Sequence, residues 1–177
     1  SLFDLAEGDY VPADSGYARA RAAAEGLLKR HPNSGMGHAT LAAILCQRDW
    51  NWEAAENEFR RAEGLAPRNP FVLIEYAWER IAVGDWDGAL RLLNATIASD
   101  PLDAATYTAL RDVYLHLGRL ADAEQAARRG LEINPYGTSH TGLATVLLVA
   151  GKPDAALAEA QAGAQREATP VLVAVLD

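Results

Sequence analysis

The stretch PFVLIEYAWERIAVGDWDGALRLLNATIASDP, Pro70 to Pro101, reads as two helices and the turn between them. Pro70 opens the first, at a position where its missing N–H has no helical partner to lose. No breaker interrupts residues 70 to 83, and Gly84 supplies the stop. Asp85 then stands in place to cap a second helix over 86–99. In that helix Trp86, Ala89, Leu90, Leu93 and Ile97 fall at spacings of three and four, which makes one apolar stripe. Pro101 closes the unit, because proline cannot continue a helix and pushes the residue before it out of the α region.

The plan recurs along the chain. Prolines stand at Pro32, Pro67, Pro101, Pro135 and Pro170, at spacings of 35, 34, 34 and 35. Twelve residues before the first four lie Ala20, Ala55, Ala89 and Ala123; fifteen before them lie Tyr17, Trp52, Trp86 and Leu120. A period near 34 is the mark of stacked helix pairs, each unable to bury its apolar face alone. The period from Ala104 to Pro135 repeats the plan with Tyr107, Leu110, Tyr114 and Leu117, then Leu120, Ala123, Ala127 and Leu131. The second period carries an extra residue at its turn, Asp49-Trp50-Asn51-Trp52, where a glycine is usual. The last has helices near 137–150 and 153–166 around Gly151. The first is incomplete: a short helix at 2–8, a loop forced by Pro12, and a helix capped by Asp14 or Ser15.

Composition narrows the function. The 177 residues are 50% hydrophobic and 23% charged, which suits a folded globular chain. A formal net charge of -8 argues against nucleic acid, since phosphate binding needs a basic face. No apolar run approaches the roughly 20 residues of a membrane span. Cys46, the one cysteine, sits in an apolar run and reads as a small buried hydrophobe. The chain opens on Ser1 rather than methionine, as expected of a piece of a longer protein.

These columns resemble the tetratricopeptide repeat family. The resemblance is strongest over Pro70–Pro101, with Tyr76-Ala77, Gly84-Asp85-Trp86, Ala89 and Pro101. It is good for Met36–Pro67 and Ala104–Pro135, fair for 137–170 and weak for 1–34. It implies an all-α fold, a right-handed superhelical α-solenoid of antiparallel helix pairs with about four to five repeats. One repeat domain is expected over 1–177: an incomplete repeat at 1–35, repeats at 36–69, 70–103, 104–136 and 137–170, and an apolar tail at 171–177. The stretch DWNWEAAENEFRRA before Pro67 also resembles the helical arrays of bacterial multidomain regulators.

Two departures from the family pattern carry charge. Arg80 stands where an aromatic is common and Arg111 where a small residue is usual. Each guanidinium is expected to reach water or a carboxylate, with Glu75, Glu79 and Asp112 in range; an anion-binding role is the alternative.

Catalysis finds little support. His31, His38, His116 and His140 are read as scattered over three turns and one helix, with no partner at metal-ligand spacing. Ser139-His140 has no acidic third member placed by local sequence. No phosphate-binding glycine loop is present. The chain therefore reads as no enzyme, with no cofactor and no metal.

Binding has a better basis. The resemblance implies a concave groove lined by the first helix of each pair. In 70–83 the packing stripe is Leu73, Tyr76 and Ala77, with Arg80 as a further candidate, which leaves Phe71, Ile74, Trp78 and Ile81 facing the groove. A helix apolar on more than one face marks an interaction site, with aromatic anchors. In the next first helix the groove candidates are Thr108, Arg111, Asp112 and His116. The alternative is that Trp78 and Phe71 are buried against a neighbouring repeat. At the positions where that family's carboxylate clamps carry lysine, arginine and asparagine stand Thr40, Ile44, Phe71, Ile74, Trp78 and Thr108, which argues against binding of acidic chaperone tails. The expected function is a cytoplasmic, non-catalytic scaffold for a peptide or partner protein. The competing reading is an assembly module that dimerises through the apolar segment Pro170–Leu176.

Overall fold

The computed structural model describes residues 13–176, and among them every regular element is an α-helix. They are α1 (Ala13–Arg30), α2 (Gly35–Gln47), α3 (Trp52–Leu65), α4 (Pro70–Ala82), α5 (Trp86–Ser99), α6 (Ala104–His116), α7 (Leu120–Ile133), α8 (Gly137–Val149) and α9 (Pro153–Leu176). They fall into two compact units, one ending at Tyr76 and the other beginning at Ala77.

Caps fix the helix starts. Asn69 accepts from the Val72 N–H at 3.3 Å, Asp85 from Gly88 at 3.0 Å and Asp103 from Thr106 at 3.1 Å. Ser34 and Asn51 do the same for α2 and α3. Each cap satisfies one of the N–H groups that a first turn leaves open. Two expectations need correction. α1 begins at Ala13, so Asp14 and Ser15 lie inside it instead of capping it. α9 does not stop near 166 but runs to Leu176, so Pro170 is carried within a helix and the apolar tail belongs to α9. The tail's side chains and the short helix expected at 2–8 lie outside the described residues.

In the first unit α1 packs on α2 and α2 on α3. Its core joins Ala39, Ala42, Ile44, Ala55, Phe59, Ala62, Val72, Leu73 and Tyr76, all buried. Phe59 is fully buried and stacks on Tyr76 with ring centroids 5.0 Å apart, and the Tyr76 hydroxyl donates to Glu56 at 2.9 Å. In the second unit each helix from α5 packs on its successor, and α6 also touches α8. That contact joins the first helices of successive periods. Alanines at the crossings (Ala89, Ala109, Ala123) are wholly buried, and Leu92, Leu93, Val113, Leu143, Val146 and Leu147 fill the space between. Small residues at crossings let helix axes approach, while the leucines and valines supply most of the apolar area removed from water.

The turns obey one backbone rule with one exception. Gly84, Gly118 and Gly151 have φ of 77°, 69° and 72°, in the left-handed region that glycine enters freely. In the turn with the extra residue, Trp50 takes φ 55°. A bulky L-residue is strained there by about 1–2 kcal/mol. Its ring is 71% exposed and makes an edge contact with Trp52 at 6.0 Å, so burial offsets little of that strain.

Candidate functional site

α4 separates its residues by face. Leu73, Tyr76 and Ala77 are buried, as the packing stripe expected from spacing has it, and so is Val72, which that stripe left out. Phe71 is 41% exposed, and Ile74, Trp78 and Ile81 are half-buried. Met36 in α2 stands four residues after Pro32, as Phe71 stands four after Pro67, and it is 52% exposed. Two repeat-equivalent first turns thus present large apolar side chains to water.

The charged residues of α4 divide more sharply. Glu79 is 3% exposed, and both its oxygens receive the Arg80 guanidinium, at 2.6 and 2.8 Å. Arg80 also reaches Asp85 at 3.5 Å. Of the carboxylates in range by sequence, Glu79 is the one α4 gives to Arg80. Glu75, one turn earlier and half-buried, has no hydrogen bond or ion pair among the described residues, and burial pushes its carboxyl above the usual carboxylate range.

The α6 candidates converge over its last turns. Arg111 pairs with its neighbour Asp112 at 2.7 Å. Its guanidinium lies across α8 where Gly142 has no side chain; a Cβ there would collide with it. Nδ1 of His116 lies 2.9 Å from the Asp112 carbonyl, and the ring stacks on Trp86 at 4.8 Å. Thr108, two turns before His116, is exposed, and its hydroxyl donates to the Ala104 carbonyl at 3.2 Å. Arg111, Asp112, His116 and Trp86 thus form one cluster, in which the guanidinium is already neutralised.

Some features had no reading in the sequence. Asn94 of α5, Tyr107 and Tyr114 of α6, and Glu124, Arg128 and Arg129 of α7 line a cleft of about 800 Å³ in the second unit. None of the expected α6 residues lines it. Glu124 holds Lys152 and Arg128, each at 2.8 Å, and those hydrogen bonds, Lys152 first, lower its carboxyl below the usual range.

The histidines also differ from expectation, for His38, His116 and His140 all lie in helices. His38 and His140 stand three periods apart, and each is buried and faces a glutamate of the following helix. His38 meets Glu58 at 2.5 Å and the Pro32 carbonyl at 2.9 Å. His140 meets Glu159 at 3.0 Å, while its Nε2 is buried without a hydrogen-bond partner. Ser139 therefore has no hydrogen bond to that ring. The recurrence at three periods was the signal available; the glutamates were not legible, because helix-crossing geometry selects them. No group of three or more His, Cys, Asp or Glu among the described residues is placed to hold a metal ion. No helix among the described residues is long and apolar enough to cross a membrane.

Residues 76–138 match the family model described as tetratricopeptide repeat. The poly-β-1,6-N-acetyl-D-glucosamine export protein of Escherichia coli K12 is 32% identical over 91 residues, 51% of this chain. The aligned part is 11% of that protein, so the chain spans about a tenth of the curated relatives it matches. Among solved structures, MamA gives a TM-score of 0.73 at 17% identity, covering 90% of this chain and 93% of that one. TTC0263 of Thermus thermophilus, a thermophilic TPR protein by its description, gives 0.73 at 21% identity, covering 89% and 88%. At these identities the two structures speak to the fold alone.

Proposed function

We propose that this chain, which belongs to the tetratricopeptide repeat family, is a non-catalytic scaffold that binds a peptide or partner protein on its first helices. The exposure of Met36 and Phe71 at repeat-equivalent positions, 52% and 41%, carries this reading. A first helix needs one apolar face to stack, and α4 has a second, with Ile74, Trp78 and Ile81 following Phe71 along the helix. Aromatic side chains half in water are the usual anchors of a binding surface. The cluster of Arg111, Asp112 and His116, with Thr108 beside it, offers polar contacts to the same class of partner. Such a module works in the cytoplasm or wherever a larger protein carries it.

A library of displayed peptides panned on the full chain tests the reading. Trp78→Ala is expected to weaken captured peptides by about thirtyfold, the scale of a hot-spot loss of 2 kcal/mol, with the helical circular dichroism unchanged. Undiminished capture would remove Trp78 from the site.

The 32% identity to a polysaccharide export protein favours a second reading, in which the repeats serve as an assembly module of a longer chain. There, self-association through the C-terminal part of α9 replaces peptide capture as the activity, and Trp78→Ala leaves it untouched.

A further inference from the structure

Among the described residues, the carboxylates drawn wholly or partly out of water are, with one exception, spoken for. Glu56 takes Tyr76 and Arg60, Glu58 takes His38, and Glu79 takes Arg80. Glu124 takes Arg128 and Lys152, and Glu159 takes His140. Glu75 is half-buried and has no such partner. It sits four residues after the exposed Phe71, so both project from one face of α4. Thr40 of α2 is the repeat equivalent of Glu75, and its hydroxyl is used within its own helix, on the Met36 carbonyl at 2.9 Å.

A carboxylate withdrawn from water without a counter-charge costs free energy in the isolated protein. Apolar surroundings strengthen its attraction to a cation that enters them, because screening is weaker there than in water. The neighbouring Phe71 ring suits the aliphatic stem and flat guanidinium of arginine. The chain's net charge of -8 draws basic partners and repels acidic ones.

We propose that Glu75 is the docking point for a cationic side chain, arginine above all, of a partner peptide whose apolar residues lie on Met36 and Phe71. This rests on the scaffold reading and names the partner's chemistry. Burial, which already raises the Glu75 carboxyl, is a burden that such a cation relieves.

The test titrates the full chain with two capped peptides, acetyl-Ala-Leu-Arg-Leu-Ala-amide and its citrulline counterpart, which keeps the shape and loses the charge. Amide shifts are followed by two-dimensional NMR at millimolar peptide. The arginine peptide is expected to shift Met36, Phe71 and Glu75 saturably and to bind about tenfold more tightly than the citrulline peptide, the scale of one charge-assisted contact. Glu75→Gln should abolish that preference while leaving citrulline binding unchanged. Equal binding of both peptides at Met36 and Phe71 overturns the role of Glu75 and leaves the apolar surface standing. A preference that survives in Glu75→Gln also overturns it. No shift with either peptide overturns the docking point and the scaffold reading together.

Discussion

Replacing Arg80 by methionine tests how α4 holds a charge inside the second unit. The substitution keeps an unbranched stem and removes the guanidinium. Glu79 then loses hydrogen bonds of 2.6 and 2.8 Å while remaining in a site where it is 3% exposed. Its nearest relief is gone, and water does not reach it without opening the helix packing. Removing one partner of a buried ion pair costs about 3–5 kcal/mol, because the survivor is left uncompensated. In a unit of about 100 residues each kcal/mol moves the melting midpoint by about 4–8 °C, so the loss should exceed about 10 °C. The opposite truncation is milder. Glu79→Gln leaves Arg80 with a side chain 17% exposed and with Asp85 at 3.5 Å, so its cost should stay near 1–2 kcal/mol. The double variant Glu79→Gln/Arg80→Met has no buried charge and should be more stable than Arg80→Met alone. Urea unfolding followed by circular dichroism reads all four proteins. A loss below about 1 kcal/mol in Arg80→Met, or a double variant no better than that single one, refutes the reasoning.

The remaining predictions concern Glu75 and the two histidines. Burial raises the Glu75 carboxyl in the folded chain, so folding favours its protonated form and ionisation destabilises it as pH rises. Glu75→Gln should therefore unfold at a higher temperature than the wild type at pH 7. The gap should close as pH falls through the raised value toward the unfolded carboxyl near 4.3; a gap that widens in acid contradicts the assignment. His38→Leu strands both Glu58 and the Pro32 carbonyl, whereas His140→Leu strands Glu159 alone and removes an unpaired Nε2. His140→Leu should cost less by at least about 1 kcal/mol in urea unfolding, and equal costs would count against the hydrogen-bond assignment.

The period, the limits of α4 and α5 and the Asp85 cap were legible because each rests on local chemistry. Gly84 stops α4 through its own φ, Asp85 caps α5 through an oxygen three residues from its donor, and the stripe through Ala89 and Leu93 follows from helical spacing. The same locality misled at Pro170, where the proline rule gives a stop and α9 continues to Leu176. Of the residues expected to face the groove, Phe71 is exposed while Ile74, Trp78 and Ile81 are half-buried, and Arg111 and Asp112 form the ion pair that their neighbourhood allowed.

The sequence alone determined that this chain is a ladder of helix pairs, since backbone dihedrals and a 34-residue hydrophobic period need no knowledge of what packs against them. Tertiary structure decided which polar groups found partners. Glu75 and Glu79 are both glutamates of α4, four residues apart and each within five residues of Arg80 in sequence, yet Glu79 is buried and paired while Glu75 has no counter-ion among the described residues. His38 and His140 share a repeat position, yet one uses both ring nitrogens and the other only one. Trp50 holds a glycine's backbone conformation because the turn between α2 and α3 requires it there. For the histidines the partners are glutamates of the following helix, and helix crossings set the distances to them.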